Sequence, residues 1–232
     1  LESNLRHALD HKQFELHYQP VLRLSDGALV GAEALIRWCP PGRDLVPPDE
    51  FIPLAEECGL IVPIGKWVIR QAVADLARLD ETGPKLSELA VNIAMPQFRE
   101  KTFASELIAF LSNHPHVKQR LCIEITERVF MDEYSDPVAQ LAMLHREGLR
   151  ISIDDFGTGY SALGYLKRFP VDIIKIDRSF VRDVTEDAED ASLCEAIISI
   201  AQHLGMKVVA EGVENREQWE FLRHKECDFA QG

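Results

Sequence analysis

Two adjacent aspartates, Asp154 and Asp155, follow the short alternating stretch Arg150–Ile153. The flexible sequence Gly157–Gly159 comes shortly after them. Adjacent carboxylates repel each other and are poor strand formers, so their position at the end of a strand needs a reason. Hard cations such as Mg²⁺ and Mn²⁺ prefer oxygen ligands. One aspartate of such a pair can bridge two cations while the other binds the second cation, and two cations about 3.5–4 Å apart are a common device for phosphoryl hydrolysis.

Short apolar and β-rich stretches recur along the chain and predict the strands that would position these residues. The eight predicted strands are Glu15–Val21, Leu29–Ile36, Leu89–Ile93, Leu121–Thr126, Arg150–Asp154, Asp172–Ile176, Lys207–Ala210 and Asp228–Ala230.

Helical patterns separate many of these strands. Apolar residues recur at spacings of three and four from Ile64 to Leu79, and similar patterns cover Pro137–Glu147 and Ala191–His203. Gly205 is a predicted C-cap and Asn215 a predicted N-cap. Strands that alternate with helices predict parallel βαβ units, and eight strands predict an α/β fold with a closed TIM-like barrel.

Polar side chains lie at the ends of the predicted strands, where barrel enzymes carry their chemistry. In chain order they are Gln19, Glu33 with Arg37, Asn92, Glu124 with Glu127, Asp154 with Asp155, Lys175 with Asp177, Glu211 with Glu214, and Gln231. A single buried acid is commonly a hydrogen-bonded structural group. A ring of acids around one small volume is different, because their mutual repulsion requires cations. Lys175 would add a positive charge near a reacting oxygen, and Arg37 would bind a phosphate through its guanidinium.

Composition limits the class of protein. The 232 residues are 46% hydrophobic and 27% charged, which suits one globular domain with an ample core. The net charge of −13 disfavours binding to a nucleic acid polymer or to an anionic membrane. No apolar run reaches the roughly 20 residues of a membrane span, and five scattered cysteines are typical of a reducing compartment. We therefore expect a cytoplasmic domain without membrane contact.

Eight ordered motifs of the chain resemble those of the EAL domain family, the cyclic-di-GMP phosphodiesterases. They are YQP at 18–20, EALIR at 33–37, VNIA at 91–94, IEITE at 123–127, DDFGTGYSAL at 154–163, VDIIKID at 171–177, AEGVE at 210–214 and AQG at 230–232. The resemblance covers essentially the whole length. We therefore expect residues 1–232 to form a single EAL-type phosphodiesterase domain, a fragment of a larger signalling protein with sensory or regulatory domains.

The resemblance implies a (β/α)₈ barrel whose first strand runs antiparallel to the others. It also implies metal-dependent hydrolysis of cyclic-di-GMP to linear pGpG in bacterial second-messenger signalling. Two Mg²⁺ or Mn²⁺ ions per site would activate a water for in-line attack on one phosphodiester.

Site residues follow from the resemblance by matching position. The first metal ion would be held by Glu33, Asn92, Glu124 and Asp154, and the second by Asp154, Asp155 and Glu211. Catalytic roles are expected for Lys175, which would lie near the nucleophilic water, and for Glu33, Asp154 and Glu211. The nucleotide would lie near Gln19, Leu35, Arg37, Asp177, Glu214 and Gln231.

The segment after the aspartates is expected to have a regulatory role. Glu127 matches the acid that stabilises the loop Phe156–Ser161 in the family, where this loop couples dimerisation to metal binding. We therefore expect a homodimer. Asn92-Ile93-Ala94 departs from the common NxS pattern, and Ser161-Ala162 departs from the common YSSL pattern. Neither departure changes an expected metal ligand.

Two alternatives belong to other functional classes. A receptor would bind the nucleotide without cleaving it, although receptors of this shape commonly lose a metal ligand and every expected acidic ligand is present here. An unrelated metal-dependent barrel enzyme would use Lys175 as a base, which fold analogy alone allows.

Overall fold

Eight strands close into a barrel in the computed structural model, which describes residues 2–131, 136–158, 166 and 169–232. The strands are β1 (Phe14–Arg23), β2 (Leu29–Trp38), β3 (Glu88–Asn92), β4 (Leu121–Thr126), β5 (Arg150–Phe156), β6 (Ile173–Ile176), β7 (Lys207–Glu211) and β8 (Phe229–Gln231). Each strand pairs with the next in sequence, and β8 closes the barrel against β1. The predicted TIM-like barrel is confirmed, and each predicted strand overlaps an observed one.

The first strand has the orientation that the family resemblance implied. β1 pairs antiparallel with both β2 and β8, whereas every pair from β2 to β8 is parallel. A short connection suffices between β1 and β2 because antiparallel neighbours need only a tight turn. The resulting hairpin is long: it pairs Phe14 with Trp38 at one end and Leu22 with Leu29 at the other. β3 pairs with β2 only over Gly31–Ala34, so the hairpin extends beyond the level at which β3 ends.

Two site residues therefore lie at positions that differ from the prediction. Gln19 and Glu33 were expected at strand ends, but Gln19 lies in the middle of β1 and Glu33 in the middle of β2, where they pair with each other. The predicted bounds of these strands already enclosed both residues, and treating them as strand ends was wrong because this hairpin extends past the level at which β3 ends. The polar side chains of the other strands do lie at or near their carboxyl ends.

Helices surround the barrel. Those in the described residues are α1 (Glu2–Asp10), α2 (Pro48–Glu57), α3 (Ile61–Thr82), α4 (Met95–Arg99), α5 (Phe103–Leu111), α6 (Pro115–Lys118), α7 (Pro137–Arg146), α8 (Arg178–Arg182), α9 (Ala188–Leu204) and α10 (Arg216–His224), with a 3₁₀ helix at Glu127–Met131. The predicted helices correspond to α3, α7 and α9, and the helix predicted after Asn215, through Trp219 and Leu222, corresponds to α10. Helices α4 and α6 have five and four residues and are too short to show a periodic apolar face. Among all these helices, none combines the length and apolar character needed to cross a membrane.

Helix ends follow the residue types that the sequence supplies. Gly205 adopts a left-handed conformation with φ 73° and ends α9, as predicted. The side chain of Asn215 accepts a hydrogen bond from the backbone N–H of Gln218 and begins α10. Both caps help to place the segments that enter and leave β7.

An apolar layer fills the barrel below the strand ends. It consists of Ala90, Cys122, Ile173 and Val209, with Val21 and Phe229 packed against it. Side chains two residues apart on a strand point to the same face. The polar residues that follow two positions later on β3, β4, β6 and β7 therefore rest on this layer and point into the same interior.

Candidate active site

A buried lysine lies at the centre of the polar layer. The ammonium nitrogen of Lys175 lies 3.0 Å from Glu33 Oε2, 3.2 Å from Glu124 Oε1, 3.2 Å from Asp154 Oδ1 and 2.6 Å from Glu211 Oε1. Its side chain is 2% exposed. One ammonium thus faces four carboxylates that come from β2, β4, β5 and β7, which leaves an excess of negative charge in the cluster.

Neutral amides complete the cluster on the β1, β3 and β8 sides. Asn92 donates from Nδ2 to Glu33 Oε1 at 2.6 Å. Gln231 donates from Nε2 to Glu33 Oε2 at 2.7 Å and to Gln19 Oε1 at 3.1 Å. The closure of the barrel brings Gln19 and Gln231, which are 212 residues apart in sequence, into this contact.

Electrostatics keep the central lysine charged. Burial opposes the charge on Lys175, but the surrounding carboxylates outweigh this effect and raise its pKa well above the usual value. Burial also opposes the charge on Glu33. The attraction of Lys175 and the hydrogen bond from Gln231 prevail there and lower the pKa of Glu33. For Glu124 burial prevails and raises the pKa well above the usual value.

Two further acids at the strand ends, Asp155 and Glu211, have a raised pKa. Partial burial and the charges of Asp154 and Asp177 raise the pKa of Asp155 to about 6. Burial raises the pKa of Glu211 to about 7, although the charge of Lys175 opposes this shift. Asp155 also has a positive φ of 53°, which is uncommon for a residue with a side chain. Such a conformation is found more often at functional sites than elsewhere.

The donors present fit divalent cations. Oxygen atoms of Asp154, Asp155 and Glu211 lie within 4.8 Å of one another. Asp154 Oδ1 is buried and accepts no hydrogen bond of good geometry, although Lys175 is close to it. Carboxylate and amide oxygens are the ligands that Mg²⁺ and Mn²⁺ prefer. The set of donors, its excess negative charge and the unsatisfied oxygen all suit such ions.

Polar contacts organise the segments that leave β5 and β6. Glu127, at the start of the 3₁₀ helix, accepts a hydrogen bond from the backbone N–H of Gly157 at 2.8 Å. Asp177 accepts one from the N–H of Ser179 at 2.9 Å and begins α8. Of the expected loop Phe156–Ser161, residues 159–161 lie outside the described residues, as does Ala162.

The other expected nucleotide contacts lie at the edge of the cluster. Leu35 and Arg37 follow Glu33 on β2, in the part that pairs with β1 alone, and both side chains are half-buried. Glu214 is exposed in the segment after β7. Together with Gln231 it borders a cavity of about 400 Å³. Among the described side chains, Leu35, Arg37 and Glu214 form no hydrogen bond or ion pair with Lys175, whose partners are the four carboxylates.

Sequence reasoning missed supporting residues of the site. Ser152 is buried beside Glu124 in the strand register, and its hydroxyl has no hydrogen-bond partner among the described residues. Its position two residues before Asp154 on β5 was a signal that could have identified it. Gln218 accepts hydrogen bonds from the N–H groups of Glu214 and Asn215. The capping box of α10, with Asn215 as N-cap and Gln218 three residues later, is the local sequence pattern that could have identified this role of Gln218.

A closed barrel with its polar cluster at the carboxyl ends of the strands has the architecture of barrel enzymes. The model of the EAL domain family matches residues 2–232. The chain is 42% identical over 232 residues to the cyclic di-GMP phosphodiesterase NbdA of Pseudomonas aeruginosa. This alignment covers 100% of this chain and 30% of NbdA. It is 40% identical over 229 residues to the bifunctional diguanylate cyclase/cyclic di-GMP phosphodiesterase MucR of the same species, with coverage of 99% and 33%.

Solved structures support the same relationship. The PaMucR phosphodiesterase in complex with c-di-GMP superposes with a TM-score of 0.91 at 40% identity, over 99% of this chain and 93% of that chain. The chain belongs to the EAL domain family. It spans about a third of the length of the curated relatives named above.

Proposed function

We propose that this chain hydrolyses cyclic-di-GMP to linear pGpG. The observation that carries the proposal is the convergence of Glu33, Glu124, Asp154 and Glu211 on Lys175 in a barrel of the EAL family. Relatives of this chain are named cyclic di-GMP phosphodiesterases, and a structural neighbour contains c-di-GMP. A site that only bound the nucleotide would not need so many buried acids, because their repulsion costs stability.

Two divalent cations are part of this proposal. Glu33, Asn92, Glu124 and Asp154 would hold one ion, and Asp154, Asp155 and Glu211 the other. When bound, Mg²⁺ or Mn²⁺ would polarise the phosphate and lower the pKa of an attacking water.

The residues of the chain have separate tasks in the reaction. Lys175 orients the attacking water and stabilises negative charge as the new P–O bond forms. Glu33, Asp154 and Glu211 hold the lysine and the reacting groups in place. The P–O3′ bond opposite the water breaks as the new P–O bond forms. Of the two protons of the attacking water, one ends on the 3′ oxygen, which leaves as a hydroxyl group, and the other is released to solvent from the new phosphomonoester. One phosphodiester is thereby opened, and the product is linear.

The nucleotide contacts are assigned to the edge of the cluster. Arg37 has the donor geometry to hold a phosphate with two hydrogen bonds. Gln19 and Gln231 meet at the β1–β8 seam beside Glu33, where their amides can bind polar groups of the nucleotide. Leu35, Asp177 and Glu214 would complete the contacts around it.

The setting of the reaction is also a proposal. We infer that residues 1–232 act as one catalytic domain of a larger signalling protein, with sensory or regulatory domains, in the bacterial cytoplasm. Relatives that are about three times longer support this inference. A homodimer, in which the loop after Asp155 links assembly to metal binding, follows from the family resemblance. The net charge of −13 argues against partners such as nucleic acid polymers and anionic membranes.

The test uses the purified chain with cyclic-di-GMP and Mg²⁺ or Mn²⁺, with EDTA as the metal-free control, and separates the products by chromatography. We expect metal-dependent formation of pGpG. Asp154→Asn should abolish it, because the substitution removes an acid shared by both proposed metal sites. Glu189→Gln removes a charge from an exposed position of α9 and should leave turnover unchanged.

Two results would contradict the proposal in different ways. Tight binding of intact cyclic-di-GMP in calorimetry, without cleavage, would identify a receptor. Absence of both binding and cleavage would reject this nucleotide as the ligand.

A further inference from the structure

A buried carboxylate also lies outside the acidic cluster. Asp75, on α3, is 7% exposed and accepts hydrogen bonds from three side chains. Tyr18 Oη donates to Oδ2 at 2.6 Å, while Gln71 Nε2 and Arg78 Nη2 donate to Oδ1 at 3.0 and 2.8 Å. Gln71 and Arg78 belong to the same helix, so Tyr18 is the partner that joins this carboxylate to the barrel.

Tyr18 and Gln19 are neighbours that point to opposite faces of β1. Tyr18 points outward to α3, and Gln19 points inward, where it accepts the hydrogen bond from Gln231. Gln231 in turn donates to Glu33. The bond between Tyr18 and Asp75 therefore holds the backbone from which Gln19 reaches the cluster.

The barrel seam makes this support important. β8 has three residues and pairs with β1 through Leu22 and Arg23. At the level of Gln19, β1 is paired on its other edge with β2. Its position on the β8 side thus depends on side-chain contacts, of which the bonds made by Gln19 and Tyr18 are two.

Helix α3 is a rigid support for such a bond. It has 22 residues, and Ile64, Val68, Ala72 and Leu76 on its inner face are buried. Burial and the bond to Asp75 raise the pKa of Tyr18, so its hydroxyl stays protonated and remains a donor at physiological pH. A hydrogen bond from a neutral donor to a buried carboxylate is among the stronger ones in proteins.

We propose that the hydrogen bond between Tyr18 and Asp75 positions Gln19 for nucleotide binding by anchoring β1 to α3. Tyr18 and Asp75 are thus positioning residues that act through Gln19. The inference rests on the proposed function, which places the nucleotide beside Gln19.

Tyr18→Phe tests the proposal because it removes the hydroxyl and keeps the ring. We expect KM for cyclic-di-GMP to rise about tenfold, the equivalent of one lost hydrogen bond to a charged group, while kcat stays within about twofold. In a chain that already carries Gln19→Ala, the same substitution should change KM less than about twofold, because the residue through which it acts is gone.

Asp80→Asn is the matched control. Asp80 also lies on α3, where it binds the guanidinium of Arg120 just before β4. The substitution weakens a bond between the same helix and the barrel, but at a place remote from Gln19 in the strand register. We expect a loss of thermal stability and no change in KM.

Hydrogen exchange of the β1 amides tests the anchor without using activity. Faster exchange over residues 16–22 in Tyr18→Phe than in Asp80→Asn would support the proposal. This readout does not depend on catalysis, so a chain that failed to cleave cyclic-di-GMP would reject only the proposed function. Equal exchange in the two variants would overturn it. So would equal KM values in these variants, or multiplicative effects of Tyr18→Phe and Gln19→Ala.

Discussion

At the scale of single residues, the charge balance of the cluster depends on Lys175. Its ammonium contacts acids on four strands, and all of these acids are at least partly buried. Removing one partner of a buried ion pair is costly because it leaves uncompensated charge in a poorly solvated place. The lysine therefore has a structural role in the metal-free protein in addition to its proposed role in the reaction.

Lys175→Met should lower the free energy of unfolding in EDTA by about 3–5 kcal/mol. Urea denaturation measures this loss. Lys66→Met is the control, because Lys66 pairs with Glu106 at 2.7 Å with 41% of its side chain exposed. Loss of such a surface pair should cost less than about 1 kcal/mol. Equal losses in the two variants would contradict the role assigned to Lys175.

At the scale of elements, the exit from β5 is held by the 3₁₀ helix that follows β4. Glu127 accepts the N–H of Gly157, whose φ is 98°, and the carbonyl of Asp155 accepts the hydroxyl of Thr158 at 2.8 Å. This conformation favours glycine at 157 and holds the turn directly after the acid pair. The hydrogen bond from Gly157 to Glu127 joins the segment after β5 to the segment after β4, 30 residues away in sequence.

Glu127→Ala should reduce both turnover and metal affinity, because the turn that follows Asp155 loses its acceptor. We expect kcat/KM to fall at least about tenfold, in line with the loss of a charge-assisted hydrogen bond. Glu127→Gln keeps an oxygen acceptor and should retain more activity. Turnover assays and metal titrations of both variants measure this difference, and unchanged values in Glu127→Ala would refute the assigned role.

The contact between α3 and α4 holds the segment that follows Asn92. Gln97 accepts the N–H of Ala94 at 3.1 Å, and its amide packs directly on Gly65. A Cβ added at Gly65 would lie 2.4 Å from Gln97 Oε1, which is far too close. Alanine at this position would therefore displace the buried amide of Gln97 and its hydrogen bond to Ala94.

Gly65→Ala should destabilise the protein by about 1–3 kcal/mol, the usual cost of overpacking. This sign is opposite to the gain of about 1 kcal/mol that alanine usually brings over glycine inside a helix. In a chain that carries Gln97→Ala the clash is absent, so the substitution should become neutral or stabilising. Urea denaturation of the four chains tests this reversal, and stabilisation by Gly65→Ala in the unmodified background would rule out the clash.

At the scale of the whole molecule, the acidic centre links stability to pH and metal ions. The pKa values of Asp155 and Glu211, about 6 and about 7, lie above those of free carboxyl groups. Raised values mean that the metal-free folded state holds protons that the unfolded state releases. These two groups therefore favour the folded protein at low pH, and this contribution is lost as pH rises through about 6–7.

Mn²⁺ should stabilise the protein more at pH 8 than at pH 5.5, because protons compete with the metal ion for the same oxygens. At a concentration about 100 times the Kd, bound metal would add about 2.7 kcal/mol to the free energy of unfolding at pH 8. At the same concentration this gain should largely disappear at pH 5.5. Thermal unfolding with Mn²⁺ and with EDTA measures it, and an equal gain at both pH values would contradict the proposed ligands.

The sequence by itself determined the order of the elements and the family. Alternation along β4, β6 and β7 is a local property, because neighbouring side chains on a strand point to opposite faces whatever surrounds them. Glu124, Lys175 and Glu211 could therefore be assigned to one interior surface before the barrel was seen. The cap residues Gly205 and Asn215 were predictable for the same reason, since a cap depends on its own turn of backbone.

Only the tertiary structure decided how distant segments meet. The predicted strands Glu15–Val21 and Leu29–Ile36 already enclosed Gln19 and Glu33, but only the structure shows that these two residues pair with each other across the β1–β2 hairpin. Likewise, the bond from Tyr18 to Asp75 joins residues 57 positions apart. Such contacts depend on strand register and on the closure of the barrel, which are set by the packing of all elements together and not by any local stretch of sequence.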